Sequence, residues 1–135
     1  MNKEFVPNEQ ALALKELGFD EPCFGEYRQW DGNEPYLQLY QDLSECSTDP
    51  ADYEYTTECK APTFSQAFRW FREKHGLYGI PEERTLNNFS YQVKSNKEGA
   101  ITFIVYGGYP LNFNTYEEAE LACLINLIEI VKQKQ

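Results

Sequence analysis

The sequence predicts an α+β fold: one antiparallel sheet of four or five strands with helices packed on one face, in the order α-β-β-α-β-β-α. Three observations lead there. Two capping boxes, Thr63-Phe64-Ser65-Gln66 and Thr115-Tyr116-Glu117-Glu118, each head an apolar run of helical spacing. Two turn-rich segments, 31–35 and 95–99, each lie between runs rich in aromatic and β-branched residues. A chain of 135 residues, 41% of them hydrophobic, has the size and apolar bulk of one domain, so residues 1–135 are expected to fold as a single unit.

The first helix is expected after Val6, with Pro7 in a first-turn position where its missing N–H does no harm. Ala11, Leu12, Leu14 and Leu17 give it an apolar side. Gly18 is placed to stop it in a left-handed cap, with Phe19 folding back on the last turn. Residues 23–30 and 36–43 then flank Asp31-Gly32-Asn33-Glu34-Pro35 as a hairpin. From 44 to 62 the aliphatic residues all but vanish and prolines punctuate the chain, which predicts a long acidic loop. Tyr53, Tyr55, Thr56 and Thr57 give part of it β character.

The second helix follows its capping box and ends before Gly76. Phe64, Ala67, Phe68 and Phe71 share one face with Trp70 beside them, a core stripe rather than a base-stacking platform. Residues 79–88 read as a loop, and 89–94 with 100–106 as a second hairpin. Ile101-Thr102-Phe103-Ile104-Val105-Tyr106 is apolar on both faces, which suggests a central strand. The third helix begins at its capping box with acids in the first turn and ends in Lys132 and Lys134, complementing the helix dipole. Its apolar stripe, from Ala119 to Val131, is wider than one sheet contact needs, so the chain is expected to be a monomer or a dimer through this last helix.

The charge is uneven. Residues 20–58 hold eleven acids against Arg28 alone, a net −10 that equals the formal charge of the whole chain, whereas residues 63–135 balance to zero. A segment with one cation against eleven acids cannot neutralise phosphates, so no direct binding to nucleic acid is expected there. An acidic surface keeps a protein soluble, complements a basic partner, or gathers a divalent cation. The spacing of an EF-hand is absent: Gly32 immediately follows Asp31.

Cys23, Cys46, Cys59 and Cys123 have no C-x-x-C spacing, and the chain carries a single histidine, His75, so no metal ligand set and no cysteine–histidine or Ser-His-Asp arrangement is expected. His75 reads as a cation at a helix C-terminus. Gly107-Gly108 leads into Tyr109-Pro110 and forms no phosphate loop, and no cofactor motif occurs. The opening Met-Asn-Lys-Glu-Phe-Val-Pro lacks the apolar core of a signal peptide and no run approaches a membrane span, so the four thiols are expected to be free in a cytoplasmic protein with no membrane contact.

Three stretches stand out as a set: residues 5–19 (Phe5-Val6-Pro7-Asn8-Glu9-Gln10-Ala11 onward), residues 66–75 (Gln66-Ala67-Phe68-Arg69-Trp70-Phe71 onward) and residues 114–124 (Asn114-Thr115-Tyr116-Glu117-Glu118-Ala119 onward). Together they resemble a group of small uncharacterised phage and prophage proteins of Bacteroidales-type bacteria. The resemblance implies a small accessory protein and carries over no functional residue.

These observations favour a non-enzymatic protein-interaction module whose acidic half meets a basic, or nucleic-acid-binding, protein. Asp49, Asp52, Tyr53, Glu54 and Tyr55 are the expected contact residues, acidic and aromatic side chains on a loop. Two alternatives stay open: a divalent-metal hydrolase built on clustered carboxylates, and a small-ligand module with Tyr27, Trp30, Tyr36 and Trp70 as pocket walls.

Overall fold

The computed structural model describes residues 2–30, 33–40, 55–97, 100–105 and 113–134. After a 3-10 turn at Asn2–Glu4, its elements run α1 (Asn8–Glu16), β1 (Gly25–Trp30), β2 (Tyr36–Leu39), β3 (Tyr55–Lys60), α2 (Phe64–His75), β4 (Leu77–Thr85), β5 (Asn88–Lys97), β6 (Ala100–Val105) and α3 (Tyr116–Lys134). The fold is α+β and both sheets are antiparallel. In place of one sheet of four or five strands there are two of three strands, ordered β2-β1-β3 and β4-β5-β6. Each half holds one strand more than the predicted order allows. The described residues fall into two compact units, Met1–Thr63 and Phe64–Gln135, each with its own sheet. The charge divides at the same place: every net charge belongs to the first unit.

In the first unit, Pro7 occupies the position before α1 and Leu17 closes the helix. Gly18 adopts φ +103°, and the Phe19 and Gly18 N–H groups bond back to the Leu14 and Lys15 carbonyls at 3.0 Å, the paired closure of a Schellman cap. Ala11 and Leu14 face inward with Val6, Phe19 and Cys59. The predicted hairpin forms with Gly25 opposite Leu39 and Arg28 opposite Tyr36. Of the expected loop, 44–54 lies outside the described residues, while 55–60 is strand β3. Its β-branched Thr56-Thr57 and inward Cys59 suit a half-buried pleat, and Cys59 sits opposite Tyr27. Between the Tyr27–Cys59 and Arg28–Thr57 pairs the register steps over Glu58, a β-bulge.

The second unit corrects two expectations. The segment read as a loop is mostly β4, an edge strand that tolerates Pro81 because one row of its backbone N–H groups faces no neighbouring strand. Gly79 serves packing: a Cβ there would lie 2.8 Å from Cys123 Sγ, 2.9 Å from Leu127 Cδ1 and 2.9 Å from Phe68 Cε1. Only a bare backbone lets side chains of α2 and α3 settle this close to the strand. Second, β6 lies at an edge and β5 is central. Two short connections in succession make a meander, and a meander puts its middle strand in the middle whatever the apolarity of the third.

α2 begins and ends as its capping box and Gly76 predict, burying Phe64, Ala67, Phe68, Trp70 and Phe71. α3 is capped by the Thr115 hydroxyl, which accepts the Glu118 N–H at 3.1 Å, while Glu118 Oε2 accepts the Asn114 N–H at 3.1 Å. It buries Ala119, Cys123, Leu124, Leu127, Ile128 and Val131. Its exposed row of Glu118, Ile125, Glu129 and Lys132 holds one apolar side chain. No helix among the described residues is long and apolar enough to cross a membrane.

Candidate functional site

The candidate site is built on β1. Successive strand residues point to opposite faces, so Tyr27 lies on one side and Glu26, Arg28 and Trp30 on the other. The Tyr27 side is closed by α1 and the segment before it: the buried Tyr27 hydroxyl donates to the Val6 carbonyl at 2.6 Å, and Cys59 Sγ lies 3.7 Å from Asn8 Oδ1.

The opposite side carries a polar cluster inside a frame of rings. Glu26 is 7% exposed, yet its carboxylate accepts the Tyr40 hydroxyl at 2.6 Å and the Thr57 hydroxyl, and Arg28 Nε stands 3.4 Å away. Burial alone would push the Glu26 carboxyl up, but donation from Thr57, Tyr40 and Arg28 outweighs it and holds the group below its ordinary value. Glu26 is therefore an anion at neutral pH with its oxygens engaged. That makes it an anchor for Arg28 rather than a base with a free lone pair. Around the pair, Phe24 is 65% and Trp30 40% exposed, with Tyr36 and Tyr40 half-buried. Tyr36 pairs with Arg28, and the Tyr40 N–H donates to the Phe24 carbonyl at 2.9 Å, which extends the ladder and sets Phe24 beside Tyr40.

This pairing changes the charge map. Arg28 is the only cation of residues 20–58, and its partner Glu26 is the only buried acid among the described residues of that segment. The one positive charge is thus consumed inside the fold. The other ten acids of the segment have no cation within it.

Of the expected contact residues, Asp49, Asp52, Tyr53 and Glu54 lie outside the described residues, and Tyr55 opens β3 directly opposite Trp30. The proposed pocket walls of the first unit do not converge. Tyr27 points to the α1 side of the sheet, away from Trp30 and Tyr36, and Trp70 belongs to the second unit, where its ring meets Phe71 at 5.0 Å and His75 at 4.9 Å.

The remaining chemistry-bearing groups are quiet. A cleft of about 210 Å³ beside β3 is lined by Ala11, Lys15, Phe19, Asp20, Cys59 and Lys60. Its lysines are engaged: Lys15 Nζ donates to the Glu58 carbonyl at 2.8 Å and Lys60 Nζ lies 3.2 Å from Asp20. Burial pushes the Cys59 thiol up to about 11 and the Cys123 thiol up to about 12, far from nucleophilic thiolates. Cys23 is also free and buried, and Cys46 lies outside the described residues. His75 is not the expected helix-terminal cation: burial, then Lys134, hold its pKa below the ordinary value, so the neutral ring packs against Trp70 and Phe71. No group of three or more metal-ligating side chains occurs among the described residues.

Sequence reasoning missed Glu26, Arg28, Tyr40 and Phe24. The signal was present: Phe24, Glu26, Arg28 and Trp30 alternate at period two and share one face once β1 forms. No protein-family model, curated protein or solved structure matches the chain.

Proposed function

We propose that the protein is a small, non-enzymatic interaction module whose acidic first unit captures a basic protein, a nucleic-acid-binding one being the apt kind. The carrying observation is the internal pairing of Arg28 with Glu26, which leaves the acidity of residues 20–58 uncompensated within that segment. A field of one sign speeds encounter with an oppositely charged partner and selects against like-charged ones. In this reading Asp49, Asp52, Tyr53, Glu54 and Tyr55 form the contact, and the protein works in the cytosol as an accessory factor of phage origin.

The test is capture from a lysate at low and high salt, comparing the native chain with Asp49→Lys/Asp52→Lys/Glu54→Lys. A stoichiometric basic protein held at low salt, released at high salt and lost on charge reversal is the expected result. Capture unchanged by the reversal overturns the proposal.

A further inference from the structure

Resting on that reading of a basic partner, we infer that the β2-β1-β3 sheet face opposite α1 binds an extended arginine- and lysine-rich segment of it, with cationic side chains laid on the rings of Phe24, Trp30, Tyr36 and Tyr40.

Large rings are ordinarily buried, and here Phe24 and Trp30 stand 65% and 40% exposed at the two ends of one strand face. At about 3.3 Å per residue they bracket a track of roughly 20 Å, the span of about six residues of extended chain. An aromatic face attracts cations through its quadrupole, arginine most of all because its flat guanidinium also stacks. The Glu26–Arg28 pair at the centre of the track is self-neutralised, so it does not repel an incoming cation. The net negative charge of residues 1–62 supplies long-range attraction. Nucleic-acid bases also stack on such rings, but their phosphates would meet a unit with fourteen acids and four cations, of which Arg28 lies against Glu26 and Lys60, opposite Glu26 on β3, against Asp20. Charge complementarity therefore selects the basic peptide.

Titration calorimetry on the full chain tests this, with a nona-arginine peptide and a nine-nucleotide oligothymidylate as probes, at low and high salt. The native protein is expected to bind the peptide in a salt-sensitive way and to leave the oligonucleotide unbound. Phe24→Ala/Trp30→Ala should weaken peptide binding about tenfold at equal salt with an unchanged circular dichroism spectrum. If the double variant fails to fold, Phe24→Ser, altering only a well-exposed ring, should still weaken binding about threefold. Full affinity in the folded ring variants, or an oligonucleotide bound more tightly than the peptide, overturns the inference. The loop reversal Asp49→Lys/Asp52→Lys/Glu54→Lys separates the two readings. Binding that falls with loop reversal but not with ring removal leaves the acidic-module reading standing and rejects this face. Peptide binding absent or indifferent to salt in the native chain rejects both.

Discussion

Arg28 Nε stands 3.4 Å from Glu26 Oε2, two residues apart on one strand and so on one face, with both side chains largely withdrawn from water. Such a pair is costly to break and cheap to replace. Removing one partner strands the other without compensation, whereas removing both removes the desolvation penalty with them. Glu26→Ala is expected to lose about 3 kcal/mol in urea unfolding, and Glu26→Met/Arg28→Met less than half of that. A double variant as damaged as the single one would show that the pair does more than neutralise itself.

The same carboxylate sets an acid limit. Its folded-state pKa lies below the ordinary 4.5, so it contributes stability above that value, and the contribution is lost as pH falls through the lower folded value. The gap in unfolding free energy between the native chain and Glu26→Gln should therefore be constant from about pH 7 to pH 5 and close below about pH 4. A gap unchanged at about pH 3 would contradict the assignment.

Gly79 makes a prediction about packing. A methyl group there meets Cys123 Sγ, Leu127 Cδ1 and Phe68 Cε1 at under 3 Å, all three on buried residues. Gly79→Ala should cost about 1–3 kcal/mol through overpacking. Because the nearest atom is the Cys123 sulfur, Gly79→Ala/Cys123→Ala should recover part of that loss, a coupling readable in a double-mutant cycle. Strict additivity of the two changes would mean that the strand moves rather than the side chains.

His75, the single histidine, gives a second pH window. Burial first, then Lys134, depress its pKa below 6.5, so the unfolded chain binds the proton more readily than the folded one. Stability is full above about pH 6.5 and declines as pH falls beneath it. Melting temperatures between about pH 7.5 and 5.5 should show this slope in the native chain and lose it in His75→Phe, which keeps a ring against Trp70 and Phe71. An identical slope in the variant would assign the titration elsewhere.

Local signals were legible in the sequence where a residue acts on its own neighbourhood. Gly18 and Thr115 cap their helices through contacts within five residues, and both do what their type predicts. The loop reading of residues 79–88 failed for tertiary reasons: Gly79 makes room for α2 and α3, and Pro81 is tolerated only because β4 is an edge. The division into two sheets was hidden for the same reason, since a third strand in each half rests on Thr56, Thr57 and Leu77 finding partners far along the chain. The charge map was legible as a sum but not as a pairing. Only the register of β1 and β3 brings Thr57 onto Glu26 and shows the one arginine of residues 20–58 already spent.

The thiols offer the sharpest check on the first unit. Cys59 lines the cleft beside β3, where a reagent in solvent reaches the rim, yet the residue is 4% exposed. Burial, reinforced by Glu58 and opposed by Lys15, pushes its pKa up to about 11; burial pushes Cys123 up to about 12. At pH 8 the reactive thiolate is then about one part in a thousand of Cys59 and about one in ten thousand of Cys123. Iodoacetamide at that pH should leave both unmodified in the native protein over a time that alkylates them fully in urea, with peptide mapping to tell the cysteines apart. The two sites report on different units, so the comparison is internal. Native-state labelling of Cys59 with Cys123 still protected would mean that the β3 edge opens while the second core stays closed, and that the Lys15 clasp on the Glu58 carbonyl is a gate rather than a seal.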